Sequence, residues 1–184
     1  MLAEKKRFII YELGLLTMKA AFSTRDNRYP IYNIEIKDQH KKPAKELFRQ
    51  VLNEVETIYV ESISSKDHDQ YIEDTANRLS DEIGEDYLHN GRFRVGVAQK
   101  LINMHLKYLW CAGIINEPPH CPIDGRIRDI VKQDYPAFDY DWISNDSIDE
   151  YKNALETINQ LAINKGETYA QWELGVFRRR DDEI

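Results

Sequence analysis

Apolar residues recur at helical spacing along most of this chain. Between residues 3 and 21, Phe8, Leu15 and Leu16 keep a helical period with Ile9, Leu13 and Met18 nearby, and predict a first helix that tolerates Gly14. Residues 22–42 break the pattern at Ser23-Thr24, Asp26-Asn27 and Pro30. Within them Tyr32, Ile34 and Ile36 alternate with polar residues, as a short extended segment would. Pro43 suits a first helical turn, after which Leu47, Val51, Val55 and Ile58 share one stripe. A third helix carries Tyr71, Ile72, Ala76, Leu79 and Ile83 and ends about Gly84, before a turn at His89-Asn90-Gly91. The strongest pattern runs from Val95 to about Ala112 and closes at Gly113. Pro118, Pro119 and Pro122 keep the next stretch from being helical throughout. Asp124 opens another helix with Ile127, Ile130 and Val131, and two more are expected over about 147–163 and 168–179. With no repeat and no linker, residues 1–184 are expected to form a single all-α domain of six to eight helices.

Composition narrows the class without naming a function. The 8 glycines and 6 prolines are few for an all-β or loop-rich chain. The longest apolar run, Tyr108 to Ile115, is far short of the ~20 residues of a membrane-spanning helix. Glu12 interrupts the apolar stretch after Lys5-Lys6-Arg7, which argues against a secretory leader. Cys111 and Cys121 are too few for a disulfide framework and fit a reducing cytoplasm. The expectation is a cytoplasmic protein that acts as a monomer, away from membranes.

Charge changes the picture more. The formal net charge is −7, which alone argues against a nucleic-acid binder. Yet residues 89–132 hold seven cations (Arg92, Arg94, Lys100, Lys107, Arg126, Arg128, Lys132) against Glu117, Asp124 and Asp129, leaving −11 for the remainder. Screening confines each charge to about 10 Å, so an acidic body can still present one phosphate-binding face.

The same segment carries the candidate chemistry. Gly96, Lys100, Asn103 and Lys107 share one stripe of a helix whose other side is apolar through Val97, Leu101, Ile102, Leu106 and Leu109. A glycine at the helix start permits close approach, and the free amides there favour an anion. After the proline-rich connection, Asp124 is expected at a helix N-terminus, where an N-cap, a residue facing Lys100, and both at once are equally open readings.

Gly96-Val97-Ala98-Gln99-Lys100 followed by Pro122-Ile123-Asp124 resembles the helix-hairpin-helix DNA glycosylase superfamily over about residues 94–131. Ala98 stands where the family's second hairpin glycine is usual, and Gly125-Arg126 follows the aspartate. The resemblance implies cleavage of the N-glycosidic bond of a damaged or modified base flipped out of double-stranded DNA, without metal or cofactor. Lys100 would be the nucleophile, with an abasic-site lyase step, or the group orienting a water; Asp124 would stabilise charge developing on the sugar. Activating the lysine would need a desolvated pocket or a neighbouring cation such as Lys107 or Arg126. Arg92, Arg94, Gly96, Ala98, Asn103, Lys107 and Arg126 would contact DNA. Repair substrates and the modified bases of phage DNA both remain open. The alternatives are a noncatalytic hairpin module that binds DNA or protein, and a helical interaction domain in a defence or regulatory cassette.

Other candidates are weaker. His105, Cys111, His120 and Cys121 lack metal-ligand spacing, and Cys111 is expected in the core. Trp110, Trp142 and Trp172 are expected to pack the interior, while Tyr29 and Tyr32 are candidates to stack on an extruded base.

Overall fold

The computed structural model describes residues 3–23 and 28–178. Among these, seven α-helices follow one another: α1 (Ala3–Ala21), α2 (Lys42–Ile58), α3 (Ser65–Ile83), α4 (Val95–Cys111), α5 (Gly125–Asp134), α6 (Ile148–Lys165) and α7 (Tyr169–Val176). Single 3-10 turns at Asp38–Lys41 and His89–Gly91 precede α2 and α4. The protein is therefore all-α, and no described helix is long and apolar enough to cross a membrane.

Local chemistry explains most boundaries. Pro43 stands in the first turn of α2, where its missing N–H costs nothing. The side chains of Ser64, Asp124, Ser147 and Thr168 accept backbone N–H bonds at the starts of α3, α5, α6 and α7. Gly166, at φ 69°, takes the left-handed conformation that closes α6.

The α4 helix runs through the centre. Helices α1, α2, α3 and α6 all pack on it, and both its faces are buried. One contiguous core draws on all seven helices, with Phe22, Phe48 and Phe93 as an aromatic cluster and Trp142 and Trp172 inside. Trp110 is only partly buried.

Three expectations change. On α1, Phe8 and Leu16 are 64% and 47% exposed, and Thr17, Met18 and Ala21 are buried instead. The alternation at Tyr32, Ile34 and Ile36 yields one isolated bridge, Tyr32 to Leu88, with Ile34 97% exposed, because no strand among the described residues pairs with it. Cys111, expected in the core, lies exposed on the last turn of α4, whereas Cys121 is buried. Ser23 is followed by Thr24–Asn27, which lie outside the described residues, as do residues 179–184 with Arg179 and Arg180.

Candidate active site

Lys100 and Asp124 meet in a cleft of about 610 Å³, within the ~300–1,000 Å³ of ordinary ligand sites. Lys100 Nζ lies 3.8 Å from Asp124 Oδ2, with the side chains 6% and 23% exposed. The two oxygens of Asp124 divide the work. Oδ1 accepts from the backbone N–H groups of Arg126 (2.9 Å) and Ile127 (3.2 Å), capping α5, and Oδ2 faces the amine. Cap and ion-pair partner are thus one residue.

Trp142 completes the lysine's surroundings. Nζ sits 3.8 Å from the centroid of its indole ring, a cation-π contact that also removes water. Burial holds the Lys100 amine below its ordinary value; Asp124 pulls it back up and Arg126 adds to the fall. A desolvated lysine spends more of its time as the neutral, nucleophilic amine.

The remaining walls mix apolar and cationic groups with one further carboxylate, Asp141. Met104, Tyr108 and Phe177 line the cleft with Leu16 and Lys19 of α1 and Arg126 and Arg128 of α5. The Nη1 of Arg126 donates to the Arg178 carbonyl at 2.5 Å, and its guanidinium lies 5.8 Å from the Phe177 ring. Lys19, Tyr108, Trp142 and Phe177 reach this cleft from elements far apart in sequence, and no local pattern singled them out as site residues.

The turn before α4 is not the anion site that free amides would make. Val95 N–H donates to Asp146 Oδ1 (3.1 Å), Gly96 N–H to the Asn145 carbonyl, and Val97 and Ala98 N–H to the Arg94 carbonyl (3.0 Å each). All four amides of the first turn are spent inside the protein. Gly96 is instead required by the protein's own chain. A Cβ there would lie 2.0 Å from the Trp142 carbonyl oxygen. The connection from α3 to α4, residues 84–94 with a 3-10 turn inside, is longer than a tight hairpin.

Most of the expected DNA contacts are also committed internally. Arg94 is buried and donates to the carbonyls of Ile143 (2.6 Å), Tyr29 (3.0 Å) and Pro30 (3.1 Å). Asn103 is buried between His68 and Tyr151, and Ala98 is buried outright. Lys107 is buried against Glu173 of α7 at 2.8 Å. The Nε of Arg92 pairs with Asp146 at 2.8 Å and its Nη1 donates to Asn77. Arg126 alone of the expected contacts lines the cleft. Tyr29 and Tyr32 do not line it; the Tyr32 ring lies under Lys41. No three His, Cys, Asp or Glu side chains among the described residues gather as a metal site.

Comparison with protein-family models, curated proteins and solved structures returned no match.

Proposed function

We propose that this protein is a DNA glycosylase that cleaves the N-glycosidic bond of a damaged or modified base flipped out of a duplex. The observation that carries the reading is the Lys100–Asp124 pair, an amine and a carboxylate held 3.8 Å apart in one cleft. As the base departs, the neutral Lys100 amine attacks the sugar C1′, forming a C–N bond while the glycosidic bond breaks. The leaving base carries off the bonding pair and takes up a proton, and the attacking nitrogen loses one. Asp124 stabilises the positive charge that builds on the sugar, an interaction strongest in the transition state. Ring opening then gives a Schiff base, from which an abasic-site lyase step follows; with water as the attacking group, Lys100 orients it. Lys19 and Arg126 at the cleft supply cations for the flanking phosphates, with Arg128 beside them paired to Asp129.

The test is single-turnover base release and borohydride trapping over a panel of damaged and modified duplexes, beside equilibrium binding. Wild type should release at least one base. Asp124→Asn keeps the cap, so it should bind DNA normally yet lose about 10²–10³ in rate. Lys100→Gln should bind and form no trapped adduct. Full activity in Asp124→Asn, or no base release from any substrate by the wild type, would overturn the reading.

A further inference from the structure

We propose that Gln99 is the positioning residue of this site, docking the Ile123 peptide against α4 so that Asp124 is held opposite Lys100. The effect on turnover rests on the glycosylase reading; the effect on the amine and carboxylate does not.

Asp124 ends a connection, residues 112–124, that carries no helix or strand, so on the side preceding α5 no regular element fixes its approach to α4. Gln99 supplies that fix. Its Nε2 donates to the Ile123 carbonyl at 2.6 Å, and its Oε1 accepts from the Ile123 N–H at 3.2 Å. A side-chain amide carries donor and acceptor together, so it satisfies both polar groups of one residue as a neighbouring strand would. Both residues are fully buried, where an unpaired backbone group costs about 1–3 kcal/mol. The register matters as much as the bonds. Gln99 pairs with Ile123, and the next residue on each segment, Lys100 and Asp124, forms the ion pair.

The clasp is itself braced. Asn103, one turn along α4, points Nδ2 at Gln99 Oε1 (3.4 Å) and donates to the Tyr151 hydroxyl at 2.9 Å. Its Oδ1 accepts from His68 Nε2 at 2.9 Å. A buried network with each member paired holds a side chain in one rotamer, which is what a positioning residue needs.

The experiment follows the Lys100 side-chain resonances by NMR through a pH titration of the full chain. Wild type, Asp124→Asn, Gln99→Met and the double variant are compared. Removing the carboxylate in Asp124→Asn should lower the Lys100 midpoint. Gln99→Met keeps the length but neither hydrogen bond, so it should lower the midpoint in the same direction. The double variant should then go no further than Asp124→Asn. Should Gln99→Met fail to fold, Gln99→Asn keeps a neutral amide but is one methylene too short to hold both Ile123 groups, and should lower the midpoint in the same direction. A Lys100 midpoint equal to wild type in a folded Gln99 variant would overturn the proposal, as would an Asp124→Asn variant with no shift. Single-turnover base release supplies the second readout: the Gln99 variant should lose about tenfold or more in rate with DNA affinity unchanged. Lack of base release by the wild type would sink the glycosylase reading and leave the titration result standing.

Discussion

Gly96 shows how much one residue settles. Its missing Cβ admits the Trp142 carbonyl, and the same Trp142 lays its ring against Lys100 one turn further along α4. In Gly96→Ala the new methyl would meet backbone atoms at 2.0, 2.8 and 3.1 Å, so no flexible side chain can yield. Urea unfolding should show a loss of about 3 kcal/mol, the upper range for overpacking. Gly175, with nothing within 4 Å of a Cβ, is the control: Gly175→Ala should be neutral or stabilising, by up to about 1 kcal/mol. Equal stability of wild type and Gly96→Ala would mean that the Trp142 segment does not lie on α4 as described.

At the scale of elements, buried polar chains join the helices. The Tyr59 hydroxyl, just past α2, lies 2.5 Å from His68 Nδ1 on α3. His68 Nε2 bonds Asn103 on α4, Asn103 bonds Tyr151 on α6, and Tyr151 reaches His120 Nδ1 at 3.3 Å. Both imidazoles are buried, and that desolvation pushes His68 down to about 3 and His120 to about 4. These folded values lie below the ordinary 6.5, so the unfolded chain takes up protons first as pH falls. The stability tied to the neutral rings is complete above about pH 6.5 and is lost as pH drops toward 4. Each histidine contributes a slope of up to about 1.4 kcal/mol per pH unit in that window. Asp69 beside His120 carries a carboxyl raised by burial, which works in the opposite sense at the acid end. Unfolding free energies at pH 7 and 5.5 for wild type and His120→Gln isolate the effect. The variant should lose less on acidification, by about one proton's linkage. Parallel pH profiles for the two proteins would show that His120 does not titrate in this way. A second buried link, Lys107 to Glu173, ties α7 to α4 and brings Phe177 to the cleft, its ring 3.8 Å from the Lys107 amine.

For the molecule as a whole, the question is where a polyanion would land on a chain of net charge −7. Lys19, Arg126 and Arg128 line the cleft beside Lys100, but Arg128 is paired with Asp129 at 2.9 Å and Arg126 donates to the Arg178 carbonyl, just as Arg92 and Arg94 are engaged by the protein itself. Binding of duplex DNA should therefore weaken with salt through the cleft residues. Lys19→Ala should reduce the slope of log K against log salt by about one unit. Arg92→Ala, whose guanidinium sits on Asp146 and Asn77, should leave it unchanged. A slope that responds to Arg92 and not to Lys19 would move the binding face to the turn before α4.

The helices were legible because their signals are local. Apolar spacing, Pro43 in a first turn and Asp124 as a cap act within a few residues of themselves. Asp124 is expected opposite Lys100 because the proline-rich connection turns the chain back between them and because of the family resemblance, not from helical spacing. What spacing cannot convey is what each helix face meets. A stripe of Gly96, Lys100, Asn103 and Lys107 reads the same whether it looks into water or into other helices. Only the packing of α1, α2, α3 and α6 around α4 decided that Asn103 and Lys107 spend their hydrogen bonds indoors. The same packing brought Trp142 onto Lys100 and Ile123 onto Gln99. Helical spacing sets the angle of a side chain about its own axis; the distance to a partner on another element is a property of the assembled core alone.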